Sequence, residues 1–154
     1  EVDNGWRVAM STAANERGLS LRSPGRFLAT TDRLLSLWRD SRDDVPSTAN
    51  VDARVADAWI GSRAYELSTY QTVSRLAAGG QLGMESSINK VFWSQWDIAA
   101  HETALDLQGP LGEIDDPWMD GYLFSLSGPI YAGTNEIQRN VIAERLLGLP
   151  RGDR

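Results

Sequence analysis

The chain has 154 residues, 42% hydrophobic and 23% charged, which suits one ordinary globular domain with a real core that six tryptophans help to fill. Its net charge of -6 and pI of about 4.7 argue against nucleic acid and anionic membrane surfaces as partners. The absence of cysteine excludes thiolate catalysis, disulfides and cysteine metal sites, and fits a cytoplasmic protein with no signal peptide and no apolar run near the ~20 residues of a membrane span.

The chain begins abruptly on Glu1-Val-Asp-Asn-Gly5 with no initiator methionine, as a piece of a longer protein would. A first helix is expected from about Trp6 to Leu21. Pro24 disfavours helix at Ser23, and a second piece, about Arg26 to Asp40, continues the first with a kink. Asp43-Asp-Val-Pro-Ser47 reads as a loop. Ser47 or Thr48 caps a long helix reaching Ala78, where Gly79-Gly80 stops it. The next helix spans about Glu85 to Leu107, with Phe92, Trp96, Ala99, Thr103 and Leu107 on one stripe at 3.6-residue spacing. Gly109-Pro-Leu-Gly112 breaks it. A short helix covers Trp118 to Leu126, and a last one runs from Asn135 to Leu146, capped by Thr134 and ended by Gly148 and Pro150. Strand signals are weak and no repeat appears. Long helices joined by short Gly/Pro loops predict an all-α fold, an antiparallel four-helix bundle with short extra C-terminal helices.

The segment from Gly128 to Pro150 carries the most information. A Gly-rich loop runs into a helix at Thr134, and such a junction offers free backbone N–H groups and a positive dipole end to a polar or anionic ligand. Glu16 shares the lean side of the first helix with Trp6, Ala9, Ala13 and Ser20. Partial desolvation there would raise its pKa toward that of a general base, although most helix acids are solvated and the spacing alone favours that plainer reading. His101, the only histidine, falls opposite the Phe92/Trp96 stripe and reads as a surface residue. One histidine cannot build a di-iron or His-rich zinc site. The pairs Asp43-Asp44 and Asp115-Asp116 lack the converging oxygens a metal needs and read as solvated loop charge, so no metal is expected. Lys90 is the only lysine among 15 basic residues, which reads as a bias of genome composition.

Three segments together resemble the acyl-CoA dehydrogenases. Gly5-Trp-Arg-Val-Ala-Met10 through Asn15-Glu-Arg-Gly18 resembles the start of that family's C-terminal bundle. Ser87-Ile-Asn-Lys-Val-Phe-Trp-Ser94 through Ala104-Leu-Asp-Leu-Gln-Gly-Pro-Leu-Gly112 resembles the helix and loop that meet the adenosine side of the flavin. Tyr131-Ala-Gly-Thr-Asn-Glu-Ile-Gln-Arg139 resembles the flavin-binding loop and terminal helix. The resemblance spans residues 1–154 but covers only the C-terminal domain; the family's N-terminal helical and middle β-domains are absent from this chain. It implies FAD as cofactor, an acyl-CoA thioester as substrate, α-proton removal by a carboxylate with hydride leaving to the flavin, an electron-transfer flavoprotein as acceptor, and a homo- or hetero-tetramer. Isolated from the other domains, the chain is expected to be inactive.

The resemblance also assigns residues. Many members carry the base directly after the loop tyrosine, which here is Ala132 and cannot take a proton. A branch resembling the isovaleryl- and long-chain enzymes takes it from the first bundle helix, just before an arginine, and that position is Glu16, followed by Arg17. Arg17 and Tyr131 then face the substrate. Gly133, Thr134 and Glu136 lie near the flavin, and Leu107, Gln108 and Gly109 near the adenosine of a flavin held mainly by a neighbouring subunit. One departure stands out. An Arg-x-x-Phe-Gly motif that reaches the neighbour's flavin diphosphate is replaced by Trp38-Arg-Asp-Ser-Arg-Asp-Asp-Val-Pro-Ser47. Arg39 or Arg42 remains, but two aspartates stand where Phe-Gly belongs, and acids repel a diphosphate. A mixed oligomer follows as an expectation, resembling the heterotetrameric dehydrogenases of steroid side-chain breakdown. A non-catalytic structural subunit is the alternative, and an oxidase is disfavoured because no second bundle appears.

Overall fold

A computed structural model describes residues 3–9, 11–12, 23–41, 49–80, 83 and 85–151; among them are helices and turns and no strand. The all-α expectation is met. Residues 5–9 and 11–12 are helical and exposed, Trp6 to 76%. The rest of that opening helix, with Glu16 and Arg17, lies outside the described residues, as do the 42–48 loop and the caps expected at Ser47 or Thr48.

Helix α1, Pro24–Asp40, starts where a proline can start one. Pro24 occupies the first turn, where its missing N–H costs nothing, and Ser23 before it is extended at φ -51°, ψ 126°. Phe27, Thr30, Thr31 and Leu34 are buried at i, i+3, i+4 and i+7. Helix α2, Ala49–Ala77, buries Val55, Ala58, Ser62, Tyr65, Thr69 and Thr72. It stops as expected: the Gly80 N–H bonds to Arg75 O and the Gly79 N–H to Leu76 O, with Gly79 at φ +82°, so two otherwise orphaned carbonyls are satisfied.

Helix α3, Glu85–Gln108, is the hub and packs against α1, α2, the 3-10 turn and the two short helices that follow it. This central position overturns two expectations. Trp96, Thr103 and Leu107 of the proposed stripe are buried, but Phe92 and Ala99 are exposed. The true buried arc runs through Trp93, Asp97, Ala100 and Ala104. His101 is not a surface residue but 6% exposed. Its Nδ1 sits 2.7 Å from the Asp97 carbonyl, and its ring meets Trp118 edge-on at 5.6 Å. A helix covered on two sides has no single apolar stripe, so a one-face reading misplaces both flanks.

The core is aromatic. Phe27 packs edge-on against Tyr65 at 4.9 Å and Trp96 at 5.1 Å, each such pair worth about 1 kcal/mol beyond its buried area. Trp96 Nε1 donates to the Ala58 carbonyl at 3.0 Å, which ties α3 to α2. Arg26 on α1 donates to the buried carboxylate of Asp97 at 2.8 Å, which ties α1 to α3. After α3 come a 3-10 turn, Gly109–Glu113, then α4, Pro117–Ser125, then α5, Asn135–Val141, extended by a π turn over Ile142–Leu146. Together these reproduce the expected short C-terminal helices. No described helix is long and apolar enough to cross a membrane.

Candidate functional site

The loop before α5 is built from the inside. The Ile130 and Tyr131 N–H groups both bond to Ser127 O, and the half-buried Tyr131 ring lies 5.9 Å from that of Trp93 on α3. Ala132 and Gly133 then take the left-handed conformation in succession, at φ +54° and +85°. An alanine there is strained by about 1 kcal/mol. The buried Gln138 amide opposes that strain by donating to Ala132 O at 3.1 Å, and a Cβ on Gly133 would stand 2.6 Å from the same amide nitrogen. Gly133 is therefore required both by φ and by the side chain beneath it.

Thr134 caps α5 as expected, accepting from the Ile137 N–H at 3.4 Å. Two of the first N–H groups are already engaged: the Asn135 N–H bonds to Pro129 O and the Gln138 N–H to Thr134 O. The nearby backbone N–H of Glu136 and the Thr134 hydroxyl hold the Glu136 carboxyl below the usual carboxylate range.

Beneath the loop sits a buried polar node. Lys90, 1% exposed, donates from Nζ to Asn135 Oδ1 at 2.8 Å. Asn135 Nδ2 donates to the Ser94 hydroxyl at 3.0 Å. Burial pushes the Lys90 ammonium below the ordinary lysine pKa, and the charge of Glu136 pulls the other way. Reading the rarity of lysine as a bias of composition gave no hint of this position. The signal available was its place between Asn89 and Val91 in an otherwise lysine-free chain.

The second group of candidate residues lies at the far end of α3, roughly 20 Å beyond Ser94 by helical rise. The Leu107 side chain is in the core. Gln108 ends the helix, and Gly109 turns the chain at φ +57°. Gln108 Nε2 donates to Asp116, while its Oε1 is buried without a hydrogen-bond partner. Asp116 is not the solvated loop charge its sequence context suggests: it caps α4, accepting from the Trp118 and Met119 N–H groups at 2.8 Å each. Desolvation works to raise its pKa, but the bonds from Met119, Gln108 and Trp118, with the charge of Arg33, outweigh that and lower it. No group of three or more His, Cys, Asp and Glu side chains suited to a metal ion occurs among the described residues.

The family model "Acyl-CoA dehydrogenase, C-terminal domain" matches residues 3–147. The acyl-CoA dehydrogenase IpdE1 of Mycobacterium tuberculosis is 37% identical over 158 residues, covering 96% of this chain and 39% of that protein. IpdE1 of Mycolicibacterium smegmatis is 36% identical over 155 residues, covering 96% and 38%. The chain thus spans about two fifths of the length of these curated relatives. Among solved structures, the Tcur3481-Tcur3483 steroid ACAD superposes with a TM-score of 0.79 at 20% identity, over 99% of this chain and 41% of that one. The ChsE4-ChsE5 complex from Mycobacterium tuberculosis superposes with 0.78 at 21%, over 99% and 42%. At such identities the likeness is one of fold.

Proposed function

Since the chain belongs to the acyl-CoA dehydrogenase family, matching its C-terminal domain over residues 3–147, we propose that it forms the helical bundle of a subunit that dehydrogenates an acyl-CoA thioester to the trans-2-enoyl-CoA. The observation that carries this reading is the closed Tyr131–Thr134 turn hung on α3, with Thr134 and Glu136 at its outer edge. The remaining walls of the site belong to N-terminal helical and middle β-domains outside this chain.

The residues present suit FAD. Gln108 carries a buried carbonyl oxygen in search of a donor, which an adenosine hydroxyl or amine supplies. Gly109 at φ +57° has nothing within 4 Å of a Cβ position, so backbone and ligand can approach closely there. In this reading Gly133, Thr134 and Glu136 meet the flavin end, and Leu107, Gln108 and Gly109 the adenosine end. When bound, FAD supplies the two-electron acceptor for the departing β-hydrogen.

Glu16 is the proposed base and takes the α-proton, since Ala132 has no side-chain acceptor. Arg17 and Tyr131 orient the acyl group beside it. An electron-transfer flavoprotein is the proposed acceptor of the electrons. One solved neighbour is a steroid ACAD, which makes a steroid-type acyl group the first substrate class to try.

The test is Glu16→Gln in the protein as encoded, with enoyl-CoA formation followed against a dye acceptor over a panel of acyl-CoA thioesters. A loss of about 10²- to 10⁴-fold with unchanged flavin absorbance is expected. Undiminished turnover on every thioester would remove Glu16 from the mechanism.

A second reading has its own support. The stretch after Arg39 lacks the Phe-Gly of the family motif and carries Asp43 and Asp44, acids that would oppose a diphosphate. This favours a mixed oligomer, in which a paralogous subunit completes the flavin contacts, or a structural subunit beside an active one.

A further inference from the structure

The Lys90 ammonium is a costly group to bury. It is fully buried on the second turn of α3, and its hydrogen-bond acceptor is a neutral amide oxygen, Asn135 Oδ1 at 2.8 Å. No salt bridge from the described residues reaches it. An ammonium withdrawn from water without a carboxylate is expensive, and methionine or leucine would fill the same space without that cost. A charge kept under those terms calls for a task, and the contacts name it. Asn135 is the residue directly after Thr134. Its Oδ1 is held by Lys90, its Nδ2 by Ser94, and its N–H by Pro129 O across the base of the loop. One residue thereby pins both ends of the Pro129–Thr134 loop to α3, and the ammonium is the strongest of its three ties.

We infer that Lys90 is a positioning residue: through Asn135 it fixes the Tyr131–Thr134 turn, and through that turn it sets how the site holds its flavin. The first half concerns the protein alone. The second rests on the FAD reading above. The burial-lowered pKa of Lys90 agrees with a strained, retained cation. Glu136, one residue beyond Asn135, is the nearest source of opposing charge and remains 76% exposed, so it relieves little of the cost.

The experiment compares Lys90→Met, Lys90→Arg and Asn135→Asp with the parent, in the protein as encoded. Two readouts are taken: amide hydrogen exchange of residues 129–136 without flavin, and FAD affinity from the quenching of flavin fluorescence. For Lys90→Met, exchange in the loop accelerates at least about tenfold while α1 and α2 stay protected, and FAD binds about tenfold more weakly or worse. Lys90→Arg restores part of both, because a cation of similar reach returns. Asn135→Asp keeps both near the parent values, because a carboxylate still accepts from Lys90; it also serves should Lys90→Met fail to fold. Lys90→Met with parental exchange and parental FAD affinity overturns the inference, and so does Asn135→Asp loosening the loop in a folded protein. A parent that binds no FAD yet shows the exchange pattern defeats the cofactor reading and leaves the loop-pinning role standing.

Discussion

Ala132 and Gly133 illustrate what a residue states by itself. A glycine before a Thr-Asn-Glu helix start announces a turn, and Gly133 makes one, but nothing in the sequence reveals that Ala132 shares the left-handed region or that Gln138 props both. Asp116 makes the same point through charge. As a capping carboxylate its folded-state pKa is lowered, so its contribution is complete above the unfolded value and is lost as pH falls through the folded one, below about 4. Asn is as good a cap as Asp. Asp116→Asn is therefore expected to leave stability near neutral pH within about 0.5 kcal/mol while flattening the acid limb, and Asp116→Ala to cost about 1 kcal/mol at neutral pH. Urea denaturation from pH 7 down to pH 3 checks both; an unchanged acid limb in Asp116→Asn would place the pH dependence elsewhere.

At the scale of elements, α3 decides the packing. Where α4 crosses it, Gly121 lies against the His101 ring so closely that any Cβ would overlap the imidazole. Gly121→Ala gains up to about 1 kcal/mol of helix propensity, but overpacking a buried ring costs roughly 1–3 kcal/mol, so net destabilisation is expected. His101→Ala removes the obstacle and leaves a hole into which the new methyl group partly fits. The double variant should lose at least about 0.5 kcal/mol less than the sum of the singles, read from a denaturation cycle. Strict additivity would mean that the crossing relaxes without touching His101. Helix limits, by contrast, were legible in the residues: Pro24, Gly79-Gly80, Gly109 and Thr134 mark boundaries that the structure keeps, because caps and stops are local chemistry.

For the whole molecule, α2 presents a second face. Ile60, Leu67 and Tyr70 fall along one exposed arc, away from the buried Val55–Thr72 face. Such exposed apolar residues on a chain spanning two fifths of its relatives are expected to be covered in the assembled protein. In the mixed-oligomer reading, the protein purified alone carries less than one flavin per subunit, and addition of the partner subunit raises flavin absorbance to full occupancy. Leu67→Glu should weaken that assembly at sedimentation equilibrium while leaving the circular dichroism of the bundle intact. A fully flavin-loaded homo-oligomer would end the mixed-oligomer reading.

The residues in order were enough to determine an all-α chain, its family and the helix limits at Pro24, Gly79-Gly80, Gly109 and Thr134, because these depend on neighbours within a few positions. Tertiary structure alone decided that α3 is covered from two sides and that Lys90 and His101 are interior. Each of these depends on contact between segments distant along the chain, and burial is a property of what folds over a residue, which its own spacing does not record.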